Sequence, residues 1–433
     1  MFLPFLLYLV AMTAATLAAV LPEAGATVDL WRGSLAFLLP WVVGWLLGLL
    51  SDRVMGSRAP MRIGRRRWFA LVVWLATVTQ SPMVPLLMAR LAHLPFGTEL
   101  ALAGLLLHYW IADSLSLQPP HLLGTEGSQA PTRGFIHVLR VPTPFLVLVV
   151  LGLAISSGTQ TLLAARATDP DSQMWWAVVV PTLFYIACAA VLMPVLLRVC
   201  WGLRRLENRD AERNITDELR ANGVRGVTVL AWPEQLTGYA TAGVIGVVPG
   251  FRYLLFSETL AAGLSEEEVR SVTAHEAAHL RYRHLWFYFA AILAAVLLIQ
   301  VFWKVIYLAG LWWGVQIPFW VIALVELAAL LAFLRAGWGF LSRYFERQAD
   351  GHAFRRGGLA AFQSAIAKVA MINGIPVGQG NWHHHGIGER VQYLQQAQAA
   401  DPDAIRRHDR AVSRLKWLTV VLLVVAIGAQ WGL

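Results

Sequence analysis

Nine stretches of this chain are apolar for long enough to cross a lipid bilayer, and nothing else restricts its fold so severely. They fall at about 2–21, 34–50, 68–89, 100–117, 144–164, 175–200, 285–309, 315–341 and 416–432. A helix needs about 20 apolar residues to cross the hydrocarbon core, and inside that core every backbone polar group must be satisfied within the protein. With 57% hydrophobic and only 14% charged residues, the chain has too little polar surface to cover a soluble fold of this size. The expected fold class is therefore mainly α, a polytopic helical membrane protein. The first run lacks the basic leader of a signal peptide and reads as a true span. His108 and Asp113 interrupt the fourth run and read as a buried polar pair. Cys188 and Cys200 are twelve residues apart in one run. On a helix that is about 18 Å, too far for a disulfide between them.

Arginine placement sets the orientation. The loop at 51–67 carries Arg53, Arg58, Arg62, Arg65, Arg66 and Arg67, the signature of a cytoplasmic loop. Counting spans from it puts both long polar segments, 201–284 and 342–415, on that same side, each opening with its own arginine cluster. The net charge of +9 is thus explained by topology, and nucleic acid is not expected as a partner. The expected location is a multi-pass protein of the plasma (inner) membrane with its polar domain in the cytoplasm. The expected organisation is an N-terminal membrane region over 1–200, a domain over 201–415 interrupted by a two-span hairpin at about 285–341, and a C-terminal span over 416–433.

The polar domain holds the chemistry. His275-Glu276-Ala277-Ala278-His279 follows a helix start at Ser265, with Glu268 three residues on as the second half of a capping box. On that helix His275 and His279 project from one face and can fill two corners of a zinc tetrahedron. Glu276, one residue round, is placed to accept a proton from an attacking water. Upstream, Val224–Trp232, Val244–Val248 and Tyr253–Ser257 are short β-rich runs, predicting a small sheet beside this helix. The helix is expected to continue with little break into the span beginning at Leu285. A catalytic zinc needs a third protein ligand. Two spans later, Glu346 and Asp350 stand at i and i+4 in RYFERQADGHAF. They read either as a ligand and the carboxylate that orients a ligand imidazole, or as two surface acids paired with nearby arginines.

The combination HEAAH, two spans, then ERQAD resembles the H-E-x-x-H … E-x-x-x-D signature of the CAAX prenyl protease and HtpX-type family of integral-membrane zinc metallopeptidases. VVPGFRYLLFSETLAAGLSEEEVRSVTAHEAAHL and HHHGIGERVQYL are similar to that family as well. The resemblance implies a gluzincin-type peptidase domain holding one zinc per chain. His275, His279 and Glu346 would be the metal ligands, Glu276 the general base and Asp350 the orienter. It also implies His384 as a donor to the transition state, with Arg390 as its structural partner. His384 keeps the family's six-residue distance to Arg390, while His385 stands where the family has proline. The substrate would lie along an edge strand, touching Thr241, Ala242, Val244 and Gly246, although the family commonly has Asn-Ala where this chain has Thr241-Ala242. His284 and His352 read as structural. The function implied is a zinc metalloendopeptidase acting on membrane-associated or membrane proteins at the cytoplasmic face, its partners a protein or peptide substrate and the bilayer. The alternative is a catalytically silent membrane scaffold or chaperone of the same fold.

Overall fold

A computed structural model describes residues 97–117, 143–164, 176–234, 239–315, 319–374, 386–401 and 403–432, with a few isolated positions before residue 97 and at 140. The apolar runs at 2–21, 34–50 and 68–89 lie almost wholly outside the described residues, as do His383, His384 and His385. The chain divides into two compact units, Met1–Ile186 and Ala187–Leu433.

In the first unit, α1 (Gly97–Leu117) and α2 (Thr143–Ala164) are apolar helices. His108 is buried on α1, and its Nδ1 accepts a 2.9 Å hydrogen bond from the Trp74 indole. Tyr109 meets Trp74 edge-on. A histidine given a partner in this way needs no ligand to explain its burial.

The helix α3 (Trp176–Cys200) leads into the second unit. There α4 (Arg209–Ala221), capped by Asn208, lays Ala211, Ile215 and Leu219 against a three-stranded sheet. Its strands are β1 (Val227–Ala231), β2 (Ala242–Ile245) and β3 (Arg252–Phe256), in the order β1-β3-β2. β1 runs parallel to β3, and β2 pairs antiparallel on its other side, which leaves β2 at an edge. The second strand starts and stops earlier than its apolar run suggested. Gly246 takes φ +86°, and a Cβ there would sit 2.0 Å from the Phe251 carbonyl oxygen, so the chain turns at that residue.

After the short α5 (Glu258–Gly263), α6 (Glu266–Arg281) begins with both halves of the capping box formed. Leu254, Phe256, Leu260, Val269 and Ala277 form the core between the sheet and α6. The expected continuation into the membrane is interrupted. Tyr282 closes α6, Arg283 adopts a left-handed φ of 57°, and α7 (His284–Trp313) starts on a new course.

The run at 315–341 also departs from a simple span. It is divided into α8 (Phe319–Ala332), a π-helical segment at Phe333–Trp338, and the start of α9 (Gly339–Ile372). The π turn rotates everything C-terminal to it. α9 carries Glu346 and Asp350 and kinks at Gly358, whose φ of 78° and ψ of 172° no helix accommodates. The unit closes with α10 (Ile387–Ala399) and α11 (Ala404–Gly432). Among the described residues, Leu183–Cys200, His284–Trp313 and Ala404–Ala429 are long and apolar enough to cross a membrane.

Candidate metal centre

The face of α6 that carries His275 and His279 packs along α9, bringing Glu346 opposite both imidazoles. His275 Nε2 and His279 Nε2 lie 3.3 Å apart; His275 Nε2 is 3.5 Å from Glu346 Oε2, and His279 Nε2 is 3.5 Å from the other oxygen, Oε1. A tetrahedral ion held at about 2.1 Å by nitrogen and oxygen donors has ligand-to-ligand edges of about 3.4 Å. Each imidazole nitrogen therefore stands close to that edge length from the other and from its nearer carboxylate oxygen. The three side chains also form a compact metal-ligand group among the described residues, and two imidazoles with one carboxylate is a donor set suited to zinc.

Electrostatics point the same way. Burial opposes a charge on His275, but the Asp350 and Glu346 carboxylates outweigh it and lift its pKa to about 10. The pocket thus favours a positive charge where the three donors converge. Asp350 Oδ1 lies 3.0 Å from His275 Nδ1, at an angle that misses regular hydrogen-bond geometry. Burial pushes the Asp350 carboxyl up, yet Arg390 and His275 hold it down to about 2. Arg390 does so with a fork, Nε to Oδ2 at 2.8 Å and a terminal nitrogen to Oδ1 at 2.5 Å. Charge-assisted, bidentate and almost dry, this is the strongest type of side-chain pair.

The site opens into a cavity of about 640 Å³. Glu276 lines it beside the two histidines, as does Arg390. Thr241, Ala242 and Val244 of the edge strand and its approach form one wall. Gly246 is not part of that lining; it makes the turn beyond β2. Leu285, Tyr288 and Phe289, from the first turns of α7, and Trp338 from the π-helical segment form another wall. The structure thus brings together His275, Glu276, His279, Glu346, Asp350, Arg390, Thr241, Ala242 and Val244.

Two of the histidines read as structural have well-defined surroundings. His352 bonds Asn222 Oδ1 at 2.8 Å and the Tyr282 hydroxyl at 3.2 Å, bracing the end of α4 against α9. His284 is different. It is fully buried, and its Nδ1 is 3.1 Å from His279 Nδ1. Its Nε2 meets Gln348, which in turn meets Asp409. The sequence carries one sign of this arrangement, a histidine five residues after the motif. Only the break at Arg283 turns it back toward the site.

Residues 232–418 match the profile of peptidase family M48. The chain carries an M48 peptidase domain. M48 is a family of zinc metalloproteases, and the domain is that of a metalloendopeptidase with the metal-ligand group described above. The matched region covers β2 and β3, both segments of the candidate metal-ligand group and the first half of α11. Among solved structures, the crystal structure of S. mikatae Ste24p aligns with 89% of this chain and 98% of its own, at 14% identity and a TM-score of 0.44. No curated protein sequence matches the chain significantly.

Proposed function

We propose that this M48 protein is an integral-membrane zinc endopeptidase that cuts membrane-associated or membrane proteins on the cytoplasmic side of a plasma (inner) membrane. The observation that carries the reading is the set of His275, His279 and Glu346 donor atoms at tetrahedral edge lengths, with Glu276 beside them on a cavity walled by an edge strand. His275, His279 and Glu346 would hold one zinc per chain. When bound, the metal supplies Lewis acidity, which acidifies water and polarises a carbonyl.

The remaining chemistry falls to the chain's own groups. The Glu276 carboxylate accepts the proton of the attacking water and returns it to the leaving amine. Asp350 holds the Nδ1 side of His275, and Arg390 holds Asp350. β2, at an edge of the sheet among the described residues, offers a backbone edge on which an extended substrate segment would add as a further strand, with Thr241, Ala242 and Val244 along it. His384 would donate to the oxyanion. Tyr288, Phe289 and Trp338 reach the cavity from elements continuous with apolar helices, which favours substrates that arrive from the membrane. The arginine-rich loop at 51–67 supports the cytoplasmic placement. The region 1–200 would then be a membrane platform, with 201–415 the peptidase and 416–433 a closing span.

Purified protein should contain one zinc per chain, and Glu276→Gln should keep it while losing roughly a hundredfold or more in cleavage of an unfolded reporter protein. Normal turnover in Glu276→Gln, or equal zinc content after His279→Ala, defeats the reading.

A further inference from the structure

We propose that His284, Gln348 and Asp409 form a positioning chain that fixes the His279 ring for metal binding and makes the grip on the metal depend on the seating of α11. The inference rests on His279 being a metal ligand through Nε2. Such an imidazole is neutral and carries its proton on Nδ1. That proton points at His284 Nδ1, 3.1 Å away, so His284 must accept there and carry its own proton on Nε2. His284 Nε2 then donates to Gln348 Oε1 at 2.9 Å. The Gln348 amide nitrogen donates to Asp409 Oδ1 at 2.9 Å, and Arg355 donates to the other Asp409 oxygen at 3.0 Å.

Every link pairs one donor with one acceptor, and the order cannot be reversed. Turning the Gln348 amide over would set two donors against each other at His284 and two acceptors at Asp409. His284 and Gln348 are buried, so a mismatched link would leave unpaired polar groups without water. The backbone is shaped for the contact. Arg283 is the one non-glycine with a positive φ among the described residues, a costly conformation, and it aims His284 back at His279 where a continuous helix would carry it away. The Phe345 ring, stacked on His284 at 4.3 Å and 1°, holds the imidazole flat. Partners of this kind, outside the ligand set, commonly govern metal affinity by ten- to a hundredfold.

The test measures zinc affinity by chelator competition and the visible spectrum of the cobalt-substituted protein, neither of which reads activity. His284→Phe keeps the stacked ring, and Gln348→Met keeps the volume. Each should weaken zinc roughly ten- to a hundredfold and shift the cobalt bands. Asp409 is only part-buried, so Asp409→Ala tests the chain with less disturbance of the core than a change at His284 or Gln348. It should weaken zinc less than those changes do. Asp409→Asn, which keeps an oxygen for Gln348 but turns a donor toward Arg355, should weaken it less than Asp409→Ala, and Gln348→Met with Asp409→Ala should be no worse than Gln348→Met alone. Unchanged affinity and spectrum in Gln348→Met, or equal losses in Asp409→Asn and Asp409→Ala, overturn the proposal while leaving the peptidase reading intact. Wild-type zinc affinity in His279→Ala overturns that reading itself.

Discussion

Replacing Glu268 by glutamine tests how the M48 domain keeps its two ligand-bearing helices together. Three donors converge on this one buried carboxylate: the Ser265 N–H at 2.7 Å, the Ser364 hydroxyl at 2.5 Å and the Lys368 ammonium at 2.7 Å. The first caps α6, and the other two reach across from α9 beyond the Gly358 kink. Burial alone raises the Glu268 pKa, but the donors and the Lys368 charge outweigh it and bring it from an ordinary 4.5 to about 2. That gap corresponds to ~3 kcal/mol of folding stability. Lys368 is 38% exposed, so screening reduces the expected loss to about 2 kcal/mol. Because the folded pKa lies below the unfolded one, the contribution is complete above about pH 4.5 and disappears as pH falls toward 2. In the metal-free protein, kept so with chelator, Glu268→Gln should lower the thermal midpoint by roughly 4–8 °C at pH 7. The difference from wild type should shrink markedly at pH 3. An equal shift at both pH values, or none at pH 7, would refute the carboxylate as the charged tie between α6 and α9.

Two further outcomes probe the proposed function. In a background lacking Cys188 and Cys200, single cysteines at Ser57 and Gln363 should resist a membrane-impermeant thiol reagent in intact cells, while one at Ser172 should react; labelling of Gln363→Cys from outside would remove the cytoplasmic site. His384→Ala should keep near-normal zinc but lose roughly a hundredfold in turnover, with His383→Ala and His385→Ala mild; a large loss at either neighbour would shift the donor by one residue.

The shared face of the candidate ligands was legible because helical periodicity is a strict geometric rule. Four residues separate His275 from His279, so a shared face follows whatever packs on it. Glu346 and Asp350 obey the same rule, but spacing alone could not separate a metal site from surface acids. What distinguishes them is the packing of α9 on α6, a contact between segments separated by a membrane hairpin. The sheet was legible as three apolar runs, while its order was not, since β1 and β3 are joined only by tertiary pairing. β2 ended early because Gly246 must pass close to the Phe251 carbonyl, which no propensity records. The contact of His284 with His279 was not legible for a related reason. That contact depends on one left-handed residue, Arg283, and an arginine in that conformation is not announced by the sequence. The π-helical segment was invisible too, because its apolar composition matches that of the helices on either side.

The short distance between His279 and the first residue of α7 has its own consequence. Five residues span at most ~18 Å even when extended, and the turn at Arg283 folds them back, so on the proposed reading the scissile bond would be attacked at a nearly fixed height above the hydrocarbon. A polypeptide leaving the bilayer in extended form would climb that height in about five residues or fewer. The enzyme would act as a depth gauge: bonds just outside the lipid come within reach, while a compact cytoplasmic domain holds its backbone too far away until it unravels. Susceptibility would then be decided by how much loose chain a substrate has next to its anchor, more than by the sequence at the cut.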